Sequence, residues 1–259
     1  MRMVRTLDSR GLYVMLLLTL VSGLACESLP ERAPKLLELE RGDGSKRSGK
    51  WLMSLDEGVV RIEGGAAHSE VMDVVVHGYE SRGYEWVHAL KRFGEAGHEV
   101  WFYRWDWQVC PEEGAATLRK HLAALLPTRP TAKKLRVFGH SYGGVITALM
   151  AKSGPLDLPM DVHVIAAPLA GMGRMKSLCG FEGLGSLPTA PGVEWFQWRT
   201  QHTLDGAFRD QKVDPQLVDF GAGMVTTLPD LYRGHRLGHN WSISWVADTL
   251  AGASPASGD

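Results

Sequence analysis

Residues Leu135-Arg-Val-Phe-Gly-His-Ser-Tyr-Gly-Gly144 decide how this chain reads. An apolar run of β character, Leu135 to Phe138, meets Gly139-His-Ser-Tyr-Gly143, and a helix-type run, Val145 to Lys152, follows. With 30 glycines in 259 residues, Gly-x-Ser-x-Gly alone would arise roughly once in five shuffled chains, so the flanking runs carry the reading. Strand, motif and helix in that order place Ser141 on a tight turn. Small residues on either side let the backbone pass, and the hydroxyl stands at a helix N-terminus. Upstream, Val74-Val-Val-His-Gly-Tyr79 reads as the end of an earlier strand running into a loop that supplies oxyanion-binding N–H groups. Together the two motifs suggest a serine hydrolase.

Working outward, strand and helix signals alternate. Val71 to Val76 is almost wholly apolar, as a strand buried on both faces should be. Tyr84 to Phe93 carries Trp86, Val87, Leu90 and Phe93 as one helical stripe. Glu99 to Trp105 is β-rich, and Ala115 to Leu126 repeats leucine at helical spacing. Beyond the serine motif, Val162 to Ala166, Glu194 to Trp198 and Val225 to Leu228 read as strands, and Asn240 to Ala251 as a closing helix. Trp51 to Leu55 and Val59 to Ile62 read as a leading pair of strands joined by Asp56-Glu-Gly58. The alternation predicts an α/β fold, a mainly parallel sheet flanked by helices on both faces.

Composition limits the function classes. The chain holds 28 basic and 29 acidic residues, a formal net charge of −1, which gives no electrostatic case for a nucleic-acid partner. No His/Cys set has zinc-type spacing, and no cofactor is expected. Arg2, Arg5 and Arg10 precede an apolar stretch, Leu12 to Val21, then small residues and Cys26. This predicts a signal peptide over residues 1–25, too short for a membrane span. Ser22-Gly-Leu-Ala-Cys26 resembles a bacterial lipoprotein signal, in which Cys26 receives the lipid, so an envelope lipoprotein with an N-terminal membrane anchor is expected. Gly23-Leu24-Ala25 also fits ordinary cleavage, which would release a periplasmic or secreted protein. Residues 26–50, rich in charge, Pro and Gly, read as a flexible linker, 51–252 as the folded domain, and 253–259 as a disordered tail. Cys110 and Cys179 are able to pair in an oxidising compartment, but their distance does not follow from sequence.

His77-Gly78 after a strand, Gly139-His-Ser-Tyr-Gly143 and a late histidine before a terminal helix together resemble the α/β-hydrolase superfamily, its lipase and esterase branch, from about Trp51 to Leu250. Ala166-Ala-Pro-Leu-Ala-Gly171 adds a softer likeness to a segment many lipases carry after the next strand, with Leu169 where they have histidine. The resemblance implies the order Ser, acid, His. Ser141 is then the nucleophile. His239, directly before the closing helix, is the expected base, with His235 in reserve. His163, inside an apolar run, reads as core, and His202 lies where the acid belongs. Asp205 of Asp205-Gly206 is the expected acid, with Asp210 and Asp214 as alternatives. By position the oxyanion donors are the backbone N–H groups of Tyr142 and Tyr79, and His77 fixes the Tyr79 loop.

Substrate is less legible. Trp101-Phe-Tyr-Arg-Trp-Asp-Trp107 reads as core and rim packing or as an apolar wall for an acyl chain. Met172 to Val193 lacks a clear helix and reads as a small cap or a long loop. A small-molecule ester or lipid is the expected substrate. The same triad also serves acyltransfer, thioester and peptide hydrolysis, and an inactive binding protein of the same fold is the contrasting reading.

Overall fold

The computed structural model describes residues 32–66, 68–187 and 190–252. The expected signal peptide, Cys26 and the 253–259 tail lie outside the described residues. Among the described residues no helix is long and apolar enough to cross a membrane.

Seven strands form one sheet in the order β1-β3-β2-β4-β5-β6-β7. They are β1 (Gly58–Ile62), β2 (Val71–Val76), β3 (Glu99–Arg104), β4 (Lys134–His140), β5 (Met160–Ile165), β6 (Val193–Arg199) and β7 (Met224–Thr227). Within this sheet only the β1–β3 pair is antiparallel. Side-chain alternation divides the core in two. Val74 and Val76 of β2 enter one cluster with α3 (Pro111–Leu125) and α4 (Tyr142–Lys152). Val75 enters the other with α1 (Ser45–Met53), α2 (Tyr84–Glu95) and α6 (Trp241–Leu250). Apolar residues on both faces explain why β2 and β4 read as continuous hydrophobic runs. The mainly parallel, doubly covered sheet is as expected.

Three expectations need correction. First, residues 35–53 are docked, so the linker predicted to run to residue 50 ends earlier. Leu36 and Leu39 are buried, the Leu36 amide donates to Glu63 O at 2.6 Å, and Lys91 Nζ donates to the Leu36 and Leu39 carbonyls at 2.9 and 2.7 Å. Second, Trp51 to Leu55 is no strand. It is the end of α1, whose buried residues Ser48, Gly49, Trp51 and Leu52 follow helical spacing while Lys46, Arg47 and Lys50 stay exposed. The charged half of that helix concealed its apolar stripe. Gly49 lets it touch α2: an added Cβ would lie 2.4 Å from Tyr84 N. Third, Met172 to Val193 contains a short helix, α5 (Gly173–Cys179), stopped by Gly180 at φ 65°. At two turns it is too short to show a repeat, and tertiary contacts hold it. Met175 is buried, and Cys179 forms a disulfide with Cys110 across a Cα separation of 5.5 Å. A small hairpin, β8 (Leu231–Tyr232) and β9 (His235–Arg236), stands apart from the main sheet.

Candidate active site

Ser141 sits between the end of β4 and the first residue of α4, with φ 54° and ψ −124°. That conformation is uncommon for a residue with a Cβ and is held by its surroundings. A Cβ on Gly139 would lie 2.5 Å from Gly143 O and from Thr147 Oγ1. One on Gly143 would lie 2.4 Å from the Val76 and His77 carbonyl oxygens. The motif's glycines are therefore set by backbone approach, and the turn packs directly on the end of β2.

Asp205 follows β6 and is fully buried. Its Oδ2 accepts from His239 Nδ1 at 2.9 Å and from Thr200 Oγ1 at 2.5 Å, and its Oδ1 accepts from the Ala207 amide at 2.8 Å. Burial by itself would raise the carboxyl pKa. The hydrogen bond and charge of His239, with the Thr200 and Ala207 donors, outweigh it and hold Asp205 below its ordinary value. An ionised carboxylate only accepts, so Nδ1 of His239 carries the proton and Nε2 is the nitrogen left to act as base. The His239 ring meets Phe208 edge-on at 4.9 Å between centroids, and its carbonyl accepts from His140 Nε2 at 3.1 Å and from Ser242 Oγ at 2.5 Å.

The alternatives have other partners. His163 lies between the rings of Phe138 and Phe196, at 4.4 and 4.5 Å, deep in the sheet. His202 Nε2 donates to Phe208 O at 2.9 Å. His235 is exposed on β9 and stacks on Trp241 at 5.3 Å. Asp210 is exposed beside Arg209, and Asp214 Oδ1 accepts from the Gln216 amide at 3.0 Å.

The Gly78-Tyr79 loop runs beside the serine: a Cβ on Gly78 would lie 3.0 Å from Ser141 Cβ. Buried His77 braces the loop. Its Nδ1 donates to Gly78 O at 2.9 Å, and its own carbonyl accepts from Trp105 Nε1 at 3.0 Å. Burial lowers the His77 pKa to about 4, so the ring is neutral. Tyr142 is the first residue of α4, where helix geometry leaves the backbone N–H without an intrahelical acceptor.

Ser141 and His239 line one cavity of ≈ 400 Å³, walled by Trp107, Met175, Leu178 and Phe208. Cys110 and Cys179 lie on its wall, so the disulfide ties the end of α5 to the start of α3 beside the cavity. Arg174 of α5 donates to Tyr79 Oη at 2.8 Å, and Tyr79 packs edge-on against Trp107. The aromatic stretch thus divides: Trp101, Tyr103 and Trp105 are core, and Trp107 faces the cavity. The hairpin and α5, both of which flank this site, carried no sequence signal beyond Arg233-Gly234, whose positive φ values of 49° and 73° make the hairpin turn.

A family model of α/β hydrolases matches residues 106–173, the span from Asp106 through the serine motif to α5. A monoacylglycerol lipase from Paleococcus ferrophilus superposes with a TM-score of 0.50 at 12% identity, covering 76% of this chain and 99% of that one. A serine hydrolase without a lid from Xanthomonas campestris matches at a TM-score of 0.47 and 17% identity, over 75% of this chain and 83% of that one. No curated protein sequence matches significantly. The sheet order, the serine turn and the superposition at a TM-score of 0.50 show the fold: the chain has the fold of the α/β-hydrolase superfamily.

Proposed function

We propose that this protein is a serine hydrolase that cleaves carboxylic esters, lipid esters among them, through an acyl-enzyme. The observation that carries the reading is the 2.9 Å bond from His239 to buried Asp205, with His239 and Ser141 on one apolar cavity. In the proposed reaction His239 Nε2 takes the Ser141 proton as Oγ attacks the ester carbonyl. The Tyr142 and Tyr79 amides hold the oxyanion, a contact of this kind being worth about 3 kcal/mol in the transition state. His239 then protonates the leaving alcohol, and water, activated the same way, releases the acid. The cavity takes the acyl group. The test is a series of p-nitrophenyl esters of graded chain length, run on the protein and its Ser141→Ala variant. Turnover that persists in the variant overturns the reading. Matched thioesters and acyl acceptors in the same assay separate thioesterase and transferase chemistry from ester hydrolysis.

We also propose export, with anchoring through a lipid on Cys26. The disulfide supports an oxidising compartment. Mass spectrometry of the mature N-terminus tests it, because an unmodified Cys26 removes the anchor and leaves plain export.

A further inference from the structure

The serine opens onto more than the apolar cavity. Ser141 and His239 also line a polar cavity of ≈ 230 Å³ bounded by Ser81, Arg82 and Glu85. It shares Tyr84, Glu85, His239 and Asn240 with a wide groove of ≈ 1020 Å³ that runs between α2 and the β8–β9 hairpin. His239 stands where all three meet. Because this ring protonates the leaving group, the alcohol half of an ester attached to Ser141 lies on the polar side while the acyl half fills the apolar one.

The charge on the polar side is uneven. Arg82 lines the near cavity, and Arg41, Arg233 and Arg236 line the groove, against Glu80 and Glu85. Arg41 is bound to Glu95 at 3.0 Å and Arg233 to Asp248 at 2.8 Å. Arg82 and Arg236 are exposed and have no side-chain partner among the described residues. Arg82 on the near cavity and Arg236 on the groove are two guanidinium groups without an ion pair among the described residues, on cavities that both reach His239, and guanidinium matches phosphate oxygens bidentately. The hydroxyl of Ser81, which donates to the Glu85 carboxylate, and that carboxylate line the same near cavity as Ser141, suited to an alcohol's remaining hydroxyl groups.

We infer that the preferred substrate is an amphiphilic acyl ester whose alcohol carries a phosphate group, with the acyl chain in the Trp107 cavity and the phosphate between Arg82 and Arg236. This rests on the ester-hydrolase reading above and adds the alcohol half. Hydrolysis breaks only the acyl carbonyl–oxygen bond: the chain passes to Ser141 Oγ, the alcohol leaves with the proton from His239 and its phosphate intact, and water releases the fatty acid.

The experiment compares 1-acyl-glycerol 3-phosphate with 1-acyl-glycerol of the same chain length, both below their micelle concentrations, in the full chain and in Arg236→Glu and Arg82→Ala. Arg236 is exposed on a two-residue strand, so its reversal leaves the core untouched. The kcat/KM ratio of phosphorylated to neutral ester is expected above one in the parent. It should fall about tenfold in Arg236→Glu, mainly through KM, and approach one in high salt. Inhibition by free glycerol 3-phosphate, weakened in the same variants, separates a phosphate site from general attraction to a lipid surface. A parent ratio at or below one, or a ratio unchanged in both variants, overturns the inference while p-nitrophenyl ester turnover upholds the hydrolase. Binding of the phosphorylated ester to the parent without turnover of any ester does the reverse: it keeps the anion site and sinks the hydrolase.

Discussion

Two buried aspartate–histidine pairs lie at opposite edges of the same sheet. Asp205 accepts from His239 Nδ1 at 2.9 Å, and Asp73 accepts from His98 Nδ1 at 2.8 Å. Both carboxylates are fully buried. They differ in what completes them. Asp73, on β2, takes Arg136 Nε on one oxygen at 2.6 Å and Nη2 on the other at 2.7 Å, so a fixed cation neutralises it. Asp205 takes a hydroxyl and an amide, and among the described residues its one titratable partner is the histidine it orients. Position matters as much. Asp73, Arg136 and His98 lie toward the amino ends of parallel strands, while Asp205 follows the carboxyl end of β6, on the edge where the loops open a crevice and where Ser141 follows β4. An aspartate–histidine pair is thus a structural clasp at one edge and becomes a candidate catalytic pair at the other only through its neighbours.

The comparison is tested first at the serine. Ser141→Ala should lower kcat for ester hydrolysis by about a thousandfold or more with the melting temperature nearly unchanged. A loss below about a hundredfold is too small for a nucleophile and would remove Ser141 from that role. Next come the two pairs. His239→Ala should fall within about tenfold of Ser141→Ala, and Asp205→Asn should cost about 10³–10⁴ in kcat, because the amide favours the wrong tautomer. His98→Ala should leave kcat unchanged, and steady-state kinetics on the four variants would expose any parity between the pairs.

Stability should show the opposite ranking. Asp73→Asn leaves the mostly buried Arg136 without its counter-charge and should cost about 3 kcal/mol in urea unfolding, with kcat/KM retained. An undisturbed urea midpoint would mean that Arg136 finds water instead.

The smallest effect is one of pH. Burial lowers the pKa of His77 to about 4 and puts His140 and His163 well below the ordinary value. For such groups the unfolded chain binds protons that the folded one refuses, so their contribution is complete above about pH 6.5 and is lost as pH falls toward 4. Urea midpoints measured between pH 8 and 4.5 should decline already below 6.5. His163→Phe, which keeps the stack on Phe138 and Phe196, should flatten part of that decline, and an identical slope in the variant would show that His163 does not titrate on unfolding.

The legible parts of this fold were those whose burial is symmetrical or repeated. β2 and β4 are apolar on both faces, α2 repeats its stripe over three turns, and the serine turn needs glycine at fixed places because backbone atoms stand 2.4–2.5 Å from any added Cβ. Asp205 was legible as a turn beyond a strand end. Its hydrogen bond to His239 spans 34 residues and belongs to tertiary structure. α1 hid because half of its surface is charged, and α5 because seven residues held by a disulfide and one buried methionine need no pattern of their own. The Arg136 clasp was invisible for a related reason: in sequence, Asp73 reads as a lone interruption of an apolar run.

The docked segment before β1 fixes where this protein can be cut and how far it can reach. A fragment beginning at Trp51 would discard Leu36 and Leu39, strip Lys91 of both its carbonyl acceptors and uncover the outer side of α2. A fragment beginning at Arg32 keeps them. For the proposed anchor the arithmetic is short. The docked Lys35 lies nine residues after Cys26, and a chain of that length reaches at most about 30 Å. The proposed lipid on Cys26 would keep Lys35 within that distance of the membrane.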